Sequence, residues 1–151
     1  ASHSVMIPEV VHLPCWELRA WDNGLEKPTV KLMAFFHPAD GMSRRESQYY
    51  WTNKHIEVGS KLNDPIRYAP RYVQNHVLPE YHATNPAYDF AGCPELWFYS
   101  TEAARKLFSE TDPVNQDKLV ADEVKFSNRQ KTLPFVTDEV LVYERKPESN
   151  C

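Results

Sequence analysis

Glycine is scarce in this sequence, with only 4 glycines among 151 residues. Loops that bind phosphate through their backbone need several closely spaced glycines, and no G-x-G-x-x-G arrangement is present. The composition therefore argues against a nucleotide cofactor. Prolines number 12, and this excess over glycine predicts stiff connections between a few elements rather than a protein of many glycine turns.

Cysteine is also rare, because Cys15, Cys93 and Cys151 are the only three and no C-x-x-C pair occurs. An odd number of widely spaced cysteines argues against a disulfide framework and against a zinc site built on thiolates. A reducing, cytoplasmic location is the expectation that follows. Cys93, between Gly92 and Pro94, is the one candidate nucleophile, although a buried structural cysteine is the commoner state.

Basic runs and long apolar runs are missing as well. Lys and Arg total 17 against 21 Asp and Glu, which gives a net charge of −4. This balance disfavours a nucleic acid or an anionic membrane as the partner. No apolar run approaches the roughly 20 residues that span a bilayer, and the first residues lack the basic-then-apolar order of a secretory signal.

Aromatic residues, by contrast, make up 13% of the chain. That share exceeds what a small core needs, so we expect a pocket with aromatic walls. The length fits one domain. We predict an irregular N-terminal arm over residues 1–28 that packs on the domain or on a partner subunit, a folded domain over 29–145, and a polar tail over 146–151.

Apolar patterns and turn residues divide the domain into seven elements. Ser43 to Glu46 has the sequence of a capping box, which opens the first helix. The order β-α-β-β-α-β, with two helices in the second half, predicts an α+β, ferredoxin-like fold with a four-stranded antiparallel sheet and helices on one face. The other sheet face needs a cover, and a second copy of the chain is the simplest candidate. The predicted strands are 30–36, 71–78, 95–99 and 136–144, and the predicted helices are 43–62, 101–110 and 115–128.

His55 falls on the apolar face of the first helix, one turn after Trp51 and close to Tyr50. A core histidine bonded to a backbone carbonyl is the ordinary interpretation. A functional one arises if the strand face of Tyr72, Gln74 and His76 also points inward, because the cavity would then hold two imidazoles, a phenol and an amide. Imidazole titrates near neutrality, so such a cavity can support acid–base chemistry.

Other residues allow different chemistry. His76, Glu80 and His82 are close in sequence but lack the spacing of a metal motif, so we expect no metal. The Asp122-Glu123 pair is typical of a solvated helix face. An acidic substrate would need a cation, and Arg67, Arg71 and Arg129 are each able to hold a carboxylate, although a surface arginine on a solvated rim is the commoner case for each.

Several segments together resemble the EthD domain of the dimeric α+β barrel superfamily. They are Val30 to Phe36 (VKLMAFF), Gly41 to Glu46 (GMSRRE), Tyr50 to His55 (YWTNKH) and Arg71 to His76 (RYVQNH). The arm segment from Leu13 to Asn23, with the overall length, resembles small fungal decarboxylases of anthraquinone-type polyketide pathways, which act on atrochrysone carboxylic acid. Sister enzymes on this scaffold are cyclases, dehydratases and isomerases, and some EthD-like chains are accessory proteins without catalysis.

The resemblance implies a cofactor-free homodimer with a pocket between sheet and helices in each subunit. It implies that His55 and His76 are catalytic, one donating to the keto oxygen of a β-keto acid and the other supplying or relaying the proton. It also implies a small aromatic substrate held by the side chains of Tyr50, Trp51, Tyr72, Gln74, Trp97 and Arg71.

Overall fold

The structure is a computed structural model that describes residues 27–61 and 69–142. The predicted tail at 146–151 and nearly all of the predicted arm at 1–28 lie outside the described residues, and so does Arg67. Pro28, the last residue of the predicted arm, is fully buried beneath the domain.

One four-stranded antiparallel sheet organises the molecule, in the order β2-β3-β1-β4. Helices cover one of its faces, which gives the α+β, ferredoxin-like arrangement that the sequence predicts. No helix among the described residues is long and apolar enough to cross a bilayer. The strands are β1 (Val30–Pro38), β2 (Arg71–His76), β3 (Gly92–Phe98) and β4 (Ser127–Asp138).

The first helical segment is not a uniform α-helix. It runs as α1 (Arg44–Tyr50), a π-helical turn (Trp51–His55) and α2 (Ile56–Lys61). The predicted capping box is confirmed: the Ser43 hydroxyl accepts the Glu46 amide, and the Glu46 carboxylate accepts the Ser43 amide at 2.8 Å. Single π turns inside α-helices are frequent at functional sites, and this one begins with Trp51 and ends with His55.

Two further helices complete the layer over the sheet, α3 (Thr101–Ser109) and α4 (Pro113–Glu123). Ser100 caps α3, whose predicted range begins at Thr101. Asp112 accepts the amide of Val114 and Pro113 occupies the first turn of α4, so this pair, which separates the two helices, also starts the second one.

The position of the fourth strand corrects the sequence prediction. The apolar run Val140 to Tyr143 suggests a strand over 136–144, of which 143 and 144 lie outside the described residues, but the strand is Ser127–Asp138. Val140 and Val142 are instead 78% and 90% exposed. β4 is an edge strand whose first half, Ser127 to Thr132, is polar, and its place is fixed by pairing along β1 rather than by apolar content. The same shift ends α4 at Glu123, short of the predicted 128.

Two buried clusters flank the space between the sheet and the helices. One is built on Val30, Phe98 and Leu107, and the other on Phe36, Trp51 and Phe126, whose rings meet edge to face at 4.9 and 5.6 Å. Members of both clusters line one cavity. The middle of the layer is therefore hollow, and the core is divided into two ends.

Gly92 allows β2, β3 and the π turn to approach one another. A Cβ at this position would lie 2.6 Å from the Asn75 carbonyl oxygen and 2.7 Å from Cζ3 of Trp51. We expect Gly92→Ala to lower the free energy of unfolding by about 1–3 kcal/mol, because the added methyl overpacks the site. Gly59→Ala is the matched control: its Cβ meets no described atom within 4 Å, and alanine favours the helix. Urea unfolding of both variants tests this, and equal effects would contradict it.

Candidate active site

The cavity between sheet and helices has a volume of about 450 Å³. This lies within the usual range for small-molecule sites. Its walls are mostly apolar, and His55 stands among them on the helix side. Residues from all four strands and from the helices line the cavity. They include Leu32, Ala34, Phe36, Trp51, Ile56, Tyr72, Leu96, Leu119, Val120, Phe126 and Pro134.

His55 is paired with a carboxylate and not with the backbone carbonyl of the ordinary interpretation. Its Nδ1 lies 2.8 Å from Oδ2 of Asp122 on α4, and the imidazole is packed against the ring of Phe126. An ionised carboxylate is only an acceptor, so the proton of this hydrogen bond is on Nδ1. With Nδ1 committed to Asp122, Nε2 is the nitrogen that a molecule in the cavity can engage.

Asp122 is buried and contacted by three polar neighbours. Tyr50 donates its phenolic hydrogen to Oδ1 at 2.8 Å, His55 occupies Oδ2, and the Lys125 amine lies 3.5 Å from Oδ1. Burial alone would raise the pKa of Asp122, but the hydrogen bonds from His55 and Tyr50, with a smaller contribution from Lys125, outweigh it and leave the pKa below its usual value of 3.8. Burial and the bond to this carboxylate raise the pKa of Tyr50 to about 12, so the phenol remains a donor.

α1 and the turn after α4 are fastened together beside this pair. The fully buried Ser47 hydroxyl donates to the Phe126 carbonyl at 2.7 Å, and the Tyr50 ring stacks on the Phe126 ring. The π turn then carries the chain to His55 at the height of Asp122. These contacts position the π turn, and the imidazole itself is held against α4 by Asp122 and Phe126.

The predicted strand histidine lies elsewhere. His76 is not among the residues that line the cavity, since its ring stacks on the far side of Trp51 at 4.9 Å. Its Nε2 is 3.0 Å from Gln74 Oε1 and 3.2 Å from the Thr52 hydroxyl. Partial burial lowers the pKa of His76. The expectation of one cavity with two imidazoles is therefore corrected, because the indole of Trp51 lies between His76 and the cavity.

The other predicted binding residues fall into four groups, and the first three lie on the helix side of the sheet. Trp51 and Tyr72 line the cavity, and Trp51 Nε1 donates to the Tyr72 oxygen at 3.1 Å. Gln74 stands behind them and donates to the same oxygen at 3.1 Å. Tyr50 is not among the described lining residues, and its hydroxyl donates to Asp122 instead.

Trp97 and Arg71 lie on the opposite face of the sheet. They pair across β2 and β3, with the Arg71 guanidinium 4.8 Å from the Trp97 ring centre and the Lys31 amine 4.2 Å from it. Their neighbours Tyr72 and Leu96 face the cavity, and side chains alternate along a strand. The expectation that Trp97 and Arg71 contribute to the pocket is corrected by this alternation.

The sequence reasoning missed Asp122 and treated it as part of a solvated face. One signal was present: Asp122 lies three residues after Leu119 and four before Phe126, so it falls on the inner face of its helix. Cys93, the candidate nucleophile, is buried, and burial raises the pKa of its thiol. Within the described ranges, no three metal-ligating side chains come together.

Comparisons with known proteins agree with this architecture. A solved EthD (ethyl tert-butyl ether D) family protein from Bacillus halodurans matches with a TM-score of 0.52 at 15% identity, covering 74% of this chain and 99% of that one. A hypothetical protein of Arabidopsis thaliana matches with a TM-score of 0.52 at 16% identity, covering 78% and 94%. Among curated proteins, none matches significantly.

These likenesses concern the fold alone, because the identities are low. The family is established by sequence: the model of the EthD domain matches residues 39–130, which is more than half of the chain. The matched span contains the π turn with His55, the strand with Tyr72 and the helix with Asp122. The chain therefore belongs to the EthD domain family.

Proposed function

We propose that this protein is a cofactor-independent decarboxylase of an aromatic polyketide β-keto carboxylic acid, of the atrochrysone carboxylic acid type. The observation that carries the proposal is the His55–Asp122 pair beside a mostly apolar cavity. A histidine oriented by a buried carboxylate is a general acid and base that works near neutral pH.

Decarboxylation needs few groups from the protein. The bond between the carboxylate carbon and the adjacent carbon breaks, carbon dioxide leaves, and the electron pair becomes an enolate. In its protonated form, His55 donates its Nε2 hydrogen to the keto oxygen as negative charge develops there. The proton passes to the substrate, and the histidine takes a replacement from solvent, so each turnover consumes one proton.

Asp122 orients His55. Its lowered pKa keeps the carboxylate ionised at neutral pH, where it accepts the Nδ1 hydrogen and leaves Nε2 for a molecule in the cavity. In this proposal Asp122 is a positioning residue, because it acts through His55 and does not line the cavity.

The walls suit a flat aromatic substrate. Phe36, Trp51 and Phe126 present rings to the cavity, and Tyr72 adds a phenol. Aromatic rings pack favourably in offset or edge-to-face contact. A mostly apolar site also favours the dispersed charge of the transition state over the compact carboxylate of the substrate.

Two alternatives on the same scaffold separate from this proposal by product. A cyclase or dehydratase would use the same acid–base pair and release water or only rearrange the substrate. An accessory protein would need neither an open cavity nor an oriented histidine, so the His55–Asp122 bond beside the cavity favours an enzyme.

The test is incubation of the purified protein with atrochrysone carboxylic acid. We expect release of carbon dioxide and a product whose mass is lower by one carbon dioxide, measured by gas trapping and mass spectrometry. A product that has lost only water would identify the dehydratase instead. Substrate that decays no faster than in buffer would count against both enzymes.

We further propose a homodimer that buries the sheet face opposite the cavity. Phe35, Phe90 and Phe135 form an aromatic row there, with ring centres 5.2 and 5.8 Å apart, and Leu133 is 52% exposed. An exposed apolar face of this kind marks an association surface. Sedimentation equilibrium should give twice the chain mass of 17.6 kDa, and a monomer at micromolar concentration would contradict this.

A further inference from the structure

Apart from His55, two ionisable side chains of opposite charge are among the described lining residues of the cavity. Among the described lining residues, Arg129 is the only arginine or lysine and Glu123 is the only carboxylate. They form an ion pair, in which Nη1 of Arg129 donates to Oε2 of Glu123. Glu123 directly follows Asp122 in the chain, so this pair lies next to the acid–base pair.

An irregularity in β4 directs Arg129 to the cavity. Two steps along β1, from Phe35 to His37, correspond to five along β4, from Leu133 to Asn128. The extra residues form a bulge closed by Asn128, whose side chain accepts the Lys131 amide and whose carbonyl accepts the Thr132 hydroxyl. Bulges of this type re-aim side chains beside active sites. As a result Ser127, Arg129 and Thr132 all line the cavity.

A ligand carboxylate can replace Glu123 as the partner of Arg129. The Arg129 and Glu123 side chains are 44% and 36% exposed, and an ion pair this exposed contributes little because solvent screens it. Glu123 engages one of the five N–H donors of a guanidinium in the described contacts. A planar carboxylate on a bound molecule can instead accept two parallel hydrogen bonds from the guanidinium, which is the stronger geometry.

Glu123 also faces the interior of the cavity. Burial raises the pKa of Tyr72, and the negative charge of Glu123 adds to that shift across the cavity. Its carboxylate already occupies the Arg129 guanidinium, the group that would attract the carboxylate of an acidic substrate. A substrate carboxylate and the Glu123 carboxylate would therefore compete for Arg129, and one of them has to move away.

We propose that Arg129 is the carboxylate-recognition residue of this cavity, and that Glu123 holds it until an acidic ligand takes its place. This rests on the proposed function and assigns the residue that selects acids over neutral aromatics. The contact between Arg129 and the substrate carboxylate stabilises the bound substrate. It weakens during the reaction because the carboxylate becomes neutral carbon dioxide. Loss of Arg129 should therefore raise KM and leave kcat unchanged or higher.

The experiment compares two ligands by isothermal titration calorimetry. Rhein is a dihydroxyanthraquinone carboxylic acid, and chrysazin is the same dihydroxyanthraquinone without the carboxyl group. We expect Arg129→Gln to weaken rhein binding by about tenfold or more and to change chrysazin binding by less than about twofold. Glu123→Gln should tighten rhein binding several-fold, because the competing carboxylate is gone. Arg45→Gln, on an exposed face of α1, is the matched control and should change neither.

Equal weakening of both ligands by Arg129→Gln would overturn the proposal, because it would show a structural role for Arg129. Unchanged rhein binding would overturn it as well. Neither measurement depends on turnover. If the ligands behave as expected but no carbon dioxide is released, the proposed reaction fails while the carboxylate site stands. If carbon dioxide is released but Arg129→Gln leaves rhein binding unchanged, the proposed reaction stands and the carboxylate site fails.

Discussion

His55→Asn is expected to lower kcat for decarboxylation by about 100-fold to 10,000-fold, the usual contribution of a positioned general acid. Asparagine can place an amide N–H where Nδ1–H of His55 stands, so Asp122 keeps a partner while proton transfer is lost. The fold should therefore remain intact, as thermal unfolding monitored by circular dichroism would show. Steady-state release of carbon dioxide measures the effect.

His76→Gln is the matched control for this prediction. Glutamine can supply a polar group near the position of Nε2, which contacts Thr52 and Gln74 outside the cavity. We expect kcat to change by no more than a few-fold. An equal loss in both variants would restore the two-histidine mechanism that the family resemblance implies, and full activity of His55→Asn would contradict the proposed acid.

Asp122→Asn is expected to lower kcat by about 100-fold or more, because the amide no longer fixes the proton on Nδ1 of His55. A merely structural role would lower kcat and raise KM together. A positioning role should lower kcat and leave KM unchanged, because Asp122 acts through His55 and does not line the cavity. Asp117→Asn, exposed on the same helix, is the control and should have neither effect.

The stability of the protein should also depend on Asp122. Its native pKa is below the ordinary 3.8, so the unfolded chain binds its proton first as the pH falls. The contribution of the carboxylate is complete above the ordinary pKa and is lost as the pH falls through the lower native value. Urea unfolding at several pH values should therefore show wild type losing more free energy than Asp122→Asn between about pH 5 and pH 2. Parallel losses would contradict the shift.

Local patterns were sufficient for part of the fold. The capping box at Ser43, the apolar run of β1 and the alternation of Arg71 to His76 all predict elements that the structure contains. These signals are local, because a cap or an alternating strand is specified by neighbours in sequence. β4 was misplaced because an edge strand is specified by its pairing with its neighbour β1, which is distant in sequence.

The site divides in the same way. Helix periodicity predicted that Trp51 and His55 share one face, and both line the cavity. Strand alternation left open which face of β2 points inward, and the structure shows that it is the face of Tyr72. Trp97 and His76 were assigned to the pocket by the family resemblance, and neither is among its described lining residues. Strand alternation sends Trp97 to the opposite face, and the Trp51 indole shields the cavity from His76.

By itself the sequence determined the family, the order of the elements and the residue types available for chemistry. Only the tertiary structure decided which of them meet. Asp122 contacts His55 across a separation of 67 residues. Arg129 enters the cavity because of a bulge in an edge strand. Contacts of this range depend on how α4 and β4 pack against the first half of the chain, and no local pattern encodes that packing.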